Sequence, residues 1–196
     1  MEEHRIIVLG SAGVQMGRAI ISQEINPKNL FFLGSNIGQF NLIEIENKHL
    51  LLGIKPGLGN YEITEEIFNL NLSFFEEIFK PQVHYFLACG LGGLTASGLA
   101  PSLAKLLIQK EQKFTIVASI PFSWEGKRRK ERASLAYDQL VSLAKEHLIL
   151  VSLDQLSTQH ESNILDTFNY ANQCVAQIIK EIIVKGETSY RFDKQE

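Results

Sequence analysis

The chain has 196 residues, 45% of them apolar and 21% charged, with a formal net charge of −3. That length suits one domain with a sizeable core, and the composition is that of a globular protein. An acidic balance argues against nucleic acid as a sequence-independent partner, because neutralising phosphates needs a basic surface. No stretch approaches the roughly 18 apolar residues of a membrane span. The start, MEEHRIIVLG, is acidic where a leader would be basic. Two separated cysteines in apolar surroundings suggest buried thiols in a reducing compartment, so a soluble, cytoplasmic chain is expected.

Taken in order, RIIVL (5–9) reads as a buried strand, followed by a glycine turn and a helix to about Gln23. NLFFLG (29–34) is a second strand. NLIEIE (41–46) alternates as a half-exposed strand would, and HLLLG (49–53) follows closely. The loop IKPGLGN leads into a helix over 63–80, carried by Ile63, Ile67, Leu70, Phe74, Phe75 and Ile78. A strand at 83–88, a glycine loop, a helix at 99–110, a strand at 114–120, a helix at 125–146 and a strand at 148–153 come next. A long helix over 162–185 closes the pattern, with Leu165, Phe168, Ala171, Val175, Ile178, Ile179 and Ile182 on one apolar stripe.

Alternating strands and helices, with strands apolar on both faces, predict an α/β fold: a three-layer, doubly wound, mostly parallel sheet. In such sheets ligands bind beyond the carboxyl ends of the strands. Three glycine loops stand at such ends: GSAGVQMG (10–17), KPGLGN (55–60) and GLGGLTASG (90–98). Backbone N–H groups can approach an anion where side chains are absent, so together these loops point to a polyphosphate cradle. Any one alone is equally a structural turn. The chain has no GxxxxGK[ST], and its first loop is GxxGxxxG with no acidic residue closing the second strand. A P-loop protein is therefore excluded and a dinucleotide-binding Rossmann domain disfavoured. The basic run KRRKER (127–132) reads as a solvated helix face.

The central loop resembles the tubulin/FtsZ motif [SAG]-G-G-T-G-[SA]-G, with Gly92, Gly93, Thr95, Ser97 and Gly98 matching and Leu94 and Ala96 departing. PFSWEGKRR (121–129) is similar to FtsZ's PFSFEGKRR, LDTFNYANQCV (165–175) to its LDAF..AN..L helix, GSAGVQMG to tubulin's GQCGNQIG, and GLGN to GAGN. The resemblance covers nearly the whole chain in order.

It implies a GTP-binding domain over residues 1–186, a tail at 187–196, and no second FtsZ domain. GTP or GDP would be held by Gly10, Ser11 and Ala12, with Gln15 reaching toward the base. Gly92, Gly93, Leu94, Thr95, Ala96 and Ser97 would wrap the phosphates, and Gly57, Gly59 and Asn60 would face the γ-phosphate. Glu125 and Arg129 would bracket the ribose, although their spacing alone is that of an ordinary helix ion pair. Phe168 would stack on guanine, with Asn172 bonding its edge; by spacing alone Phe168 is core.

The departures bear on mechanism. If the Leu94 and Ala96 positions need positive φ, each costs on the order of 1 kcal/mol or more. Gly38, in SNIG, stands where FtsZ has the aspartate of NTD, and Leu153 replaces the base-reading asparagine of PNDKL. Aligned through Gly186, Ser189, Arg191 and Lys194 stand where FtsZ's catalytic loop has Asn, Asp and Asp, with only Asp193, one position off, as a nearby acid. No residue is therefore assigned to catalysis or to a metal, and Mg²⁺ has little support. Two functions remain open: a guanine-nucleotide-binding protein with weak or partner-dependent hydrolysis, self-associating or co-assembling with an FtsZ-like filament in cell division, or a pseudo-GTPase scaffold that no longer binds nucleotide.

Overall fold

The computed structural model describes residues 3–54, 63–159, 163–188 and 190. Among them, six strands form one sheet: β1 (Glu3–Leu9), β2 (Leu30–Gly34), β3 (Asn47–Leu50), β4 (Val83–Gly90), β5 (Lys113–Ile120) and β6 (Leu148–Ser152). Their order is β3-β2-β1-β4-β5-β6 and every neighbouring pair is parallel. The expected doubly wound α/β architecture is thus all-parallel rather than mostly so. All eight residues of β4 are buried, as a central strand covered on both faces must be.

Among the described residues, eight α-helices flank the sheet: α1 (Gly10–Ser22), α2 (Ile37–Phe40), α3 (Glu65–Leu70), α4 (Leu72–Ile78), α5 (Leu94–Gln109), α6 (Lys127–Ala144), α7 (Leu153–Gln159) and α8 (Ile164–Lys185). Strand side chains alternate between two cores. Ile7, Leu9, Tyr85 and Leu87 face α4, α5 and α6 through Phe75, Leu103 and Leu140. Ile6, Val8, Phe86 and Ala88 face α1, α7 and α8 through Ile20, Leu156 and Ile179. The apolar stripe expected on the last helix is the buried side of α8 from Ala171 to Ile182, whereas Phe168 is half-buried and Leu165 is exposed; Asn163 caps the helix by accepting the Asp166 amide at 3.0 Å.

Several local expectations need correction. NLIEIE is not a strand: Ile43 and Ile45 are buried as anchors of an irregular segment, and the strand begins only at Asn47. The helix expected over 63–80 breaks at Asn71, whose backbone sits at φ −105° and ψ 0°. The Asn71 amide explains the break, because its bonds lead out of the helix. Its Nδ2 donates to Ile67 and Leu52 carbonyls (2.7 and 3.2 Å), and its Oδ1 accepts from Leu52 N–H (2.9 Å) and contacts His49 Nε2 (2.8 Å). A fully buried asparagine so bonded wins over helical continuity.

Two of the glycine loops, 10–17 and 90–98, are shorter than their glycine content suggests, and 55–60 lies outside the described residues. The chain enters α1 at Gly10 and α5 at Leu94, so most of each motif is helix. Gly13 serves packing, since a Cβ there would lie 2.8 Å from the Val8 carbonyl carbon.

Candidate functional site

Strand order reverses between β1 and β4, leaving a crevice beyond their carboxyl ends. A cleft of about 800 Å³ lies there, lined by residues that follow both strands and by the β2–α2 connection. Its size falls within the range of small-molecule sites, ~300–1,000 Å³.

Two helices begin at this cleft. Neither the α1 cap, Leu9, nor the α5 cap, Gly93, offers a side-chain acceptor to the first-turn N–H groups. A helix of this kind presents orphan donors and the positive end of its dipole to whatever occupies the cleft. Gly10 takes φ +64° and passes close to Thr95, bringing the two helix starts together. Gly92 takes φ +90°, a conformation that favours glycine. Its N–H donates to Ser97 Oγ at 2.7 Å and its carbonyl accepts Arg132 Nε at 3.0 Å. Leu91 N–H donates to the Ser119 carbonyl at 2.9 Å, so the turn leading into α5 is held at three points.

Leu94 and Ala96 bear directly on strain. Positive φ outside glycine occurs at Glu24, Gln82 and Glu111 among the described residues, and neither Leu94 nor Ala96 belongs to that group. Both lie in the first turn of α5, where a Cβ is free of penalty and Ala96 is buried.

Charge around the cleft is one-sided. Arg129 and Arg132 of α6 line it, whereas no Asp or Glu does so among the described residues. The opposite wall carries hydroxyls and amides. Ser35 and Thr95 hydroxyls lie 2.9 Å apart, Gln39 Nε2 donates to Ser11 Oγ at 2.6 Å, and Asn36 Oδ1 accepts the Gly38 amide at 2.8 Å. Gly38 itself adds no side chain. Gln39 Oε1 is buried without a partner among the described residues.

Of the candidate residues, Gly10, Ser11, Ala12, Gly92, Gly93, Leu94, Thr95, Ala96 and Arg129 meet at this cleft. Ser97 lies beneath it, bonded to Gly92. Glu125 is buried and turned inward: Oε2 lies 2.8 Å from Arg129 Nε, and Oε1 accepts Phe122 N–H at 3.0 Å. Gln15 is exposed on α1 outside the cleft lining. Phe168 is half-buried and meets Phe122 edge to face at 5.4 Å, and Asn172 follows one turn later, half-buried. Gly57, Gly59 and Asn60 lie outside the described residues, as do Ser189, Arg191, Asp193 and Lys194.

Sequence reasoning missed Arg132, Ser35 and Gln39. Arg132 had a legible signal, since it stands three residues after Arg129 and shares its helix face. The run KRRKER is mostly exposed, as a solvated face should be, but two of its arginines turn toward the cleft. Ser35 and Gln39 had no signal of their own, because only the return of β2 beside β1 brings them there. Leu153, in the place of a base-reading asparagine, is buried and opens α7. Asp154 beside it accepts Ser123 N–H at 2.9 Å and ties α7 to the 121–124 loop.

No protein-family model matches the chain. It is 28% identical over 195 residues to the cell division protein FtsZ of Buchnera aphidicola subsp. Baizongia pistaciae, covering 92% of this chain and 49% of that relative. The chain thus spans about half the length of the curated relatives it matches. Among solved structures, an empty FtsZ dimer of M. jannaschii superposes with a TM-score of 0.78 at 21% identity, over 99% of this chain and 58% of that one. CetZ from Methanosaeta thermophila gives 0.79 at 17% identity, over 96% and 56%. No helix among the described residues is long and apolar enough to cross a membrane.

Proposed function

Because the chain belongs to the tubulin/FtsZ superfamily, we propose that it binds a guanine nucleotide, GTP or GDP, in the cleft beyond β1 and β4. One observation carries the reading: two helices without side-chain caps, α1 and α5, start on a cleft that two arginines and no described carboxylate line. Backbone N–H groups and guanidinium groups are the donors that phosphates take. The phosphates then lie across Gly10–Ala12 and Gly92–Ala96, and the base extends along α1 toward Gln15, Phe168 and Asn172. Residues 1–186 act as the nucleotide-binding domain.

Hydrolysis by this chain alone is weak, because an attacking water needs a carboxylate to orient it and none lines the described part of the cleft. A partner that supplies the acid would raise it. Relatives bear the name cell division protein, and solved neighbours include a filament. Self-association, or co-assembly with such a filament in division, follows from the same reading.

A second reading, a scaffold that no longer binds nucleotide, draws on the base end. Glu125 and Arg129 bond each other, and Phe168 packs on Phe122. Titration of the chain with fluorescent GTP, GDP and ATP separates the two. Guanine-specific binding supports the first reading; no binding at tens of micromolar protein supports the scaffold. Within the first reading, Asn172→Ala weakens GTP binding more than Lys127→Ala does, and equal effects would mean the base lies elsewhere.

A further inference from the structure

We infer that Arg129 and Arg132 together carry the phosphate charge in this cleft, so that the nucleotide binds without a divalent cation. The inference rests on the nucleotide reading above and concerns how the same site neutralises its ligand.

Helix α6 delivers the two guanidinium groups to one point. Arg129 lies over the Gly92 turn so closely that a Cβ on Gly92 would stand 2.6 Å from Arg129 Cγ and 2.9 Å from its carbonyl oxygen. Arg132 donates its Nε hydrogen to the Gly92 carbonyl at 3.0 Å, which fixes the guanidinium beside the entrance to α5. The two cations differ in their charge balance. Arg129 is paired with Glu125, whereas Arg132 has no carboxylate partner and no partner for its Nη groups among the described residues. A half-buried guanidinium whose Nη edge has no counter-charge, beside first-turn N–H groups, is completed by an anion that presents two oxygens to it, as a phosphate does.

A magnesium ion fits this donor set poorly. Mg²⁺ is usually held by one or two carboxylates together with phosphate oxygens and water. Among the described residues, no cluster of three His, Cys, Asp or Glu side chains exists that could hold a metal. The polar side chains of the cleft are largely bonded to one another, and the buried oxygen left without a partner among the described residues, Gln39 Oε1, is neutral. Ser35 and Thr95 bond each other, Ser11 accepts from Gln39, and Asn36 accepts the Gly38 amide. The position in SNIG where a carboxylate would bring a cation to the phosphates is Gly38, which adds no side chain, and the positive charge comes instead from α6.

Fluorescent GTP is titrated against the full chain in EDTA and in excess Mg²⁺, with guanosine as a competitor that lacks phosphate. The expected dissociation constants agree within about twofold between the two buffers. Arg132→Gln is expected to weaken GTP by about tenfold in both buffers while guanosine competition is unchanged, and Arg132→Lys, which keeps the charge but not the two-donor edge, to recover only part of that loss. GTP binding that is strong in Mg²⁺ and at least tenfold weaker in EDTA overturns the inference and leaves the nucleotide reading standing. Equal losses for GTP and guanosine in Arg132→Gln also overturn it, since they would make Arg132 a support for the Gly92 turn. No binding in either buffer overturns both. The comparison of buffers on the unaltered chain needs no variant to fold.

Discussion

Arg129 Nε lies 2.8 Å from Glu125 Oε2, one helical turn away, and the other oxygen of that carboxylate accepts the buried Phe122 N–H at 3.0 Å. One buried side chain therefore orients a cleft arginine and closes the turn before α6. Glu125→Ala leaves the Phe122 amide unsatisfied and frees Arg129, and the expected loss is about 1–3 kcal/mol of stability. Glu125→Gln keeps an acceptor for the amide and loses less. Urea unfolding of the two variants beside the parent checks the order; equal losses would mean the backbone bond carries nothing.

Gly92 and Leu94 respond oppositely to exchange. Gly92→Ala places a Cβ at φ +90° against Arg129 and costs about 1–3 kcal/mol. Leu94→Gly and Ala96→Gly, which restore the family's glycines, relieve no strain because both residues are helical. Each lowers stability by about 1 kcal/mol through lost helix propensity. Melting temperatures settle the matter, and a gain in either glycine variant would contradict the assigned conformation.

Asn71 joins β3 to the start of α4 through bonds to Leu52, Ile67 and His49, and Leu51 and Ile54 of the same connection line the cleft. Asn71→Ala strands several buried polar groups and is expected to cost about 3 kcal/mol. Hydrogen exchange at the Leu52 amide is expected to speed up more than exchange in β4. Uniform acceleration would show global destabilisation instead of a local latch.

Alkaline pH acts through groups that the fold keeps protonated. Burial pushes the Cys89 thiol from 9.0 up to about 12, and burial likewise raises Tyr85 from 10.0 and brings Tyr190 to about 12. The folded state holds these protons more tightly than the unfolded one. Stability from them is complete below about pH 9 and is lost as pH climbs toward 12. Unfolding free energies measured from pH 8 to 11 should fall, and less steeply in Cys89→Ala; an unchanged slope in that variant would remove Cys89 from the account.

Strand and helix identity was legible where period and length agreed, as in β1, β4, β5 and α8. A fully apolar run between turns has one reading in a parallel sheet, and a long stripe at helical spacing has one buried side. NLIEIE misled because alternation marks one buried and one exposed side, and Ile43 and Ile45 achieve that against α1 and β2 without strand pairing. The break at Asn71 was invisible, because its partners at 49 and 52 are remote in sequence.

Composition, apolar periodicity and the glycine-rich strand ends by themselves determined the α/β class, the location of a cleft and the resemblance on which the nucleotide proposal rests. These are local properties, set by side-chain spacing and by where the backbone can do without a Cβ. Tertiary structure alone decided which of the motif residues share one space. It turned Leu94 and Ala96 from suspected damage into ordinary helix, sank Glu125 beneath Arg129, and brought Arg132 and the β2–α2 wall to the cleft where α1 and α5 begin. Those outcomes depend on how α6 and β2 pack against the starts of α1 and α5, and contacts between segments so distant in sequence are created only when the sheet closes.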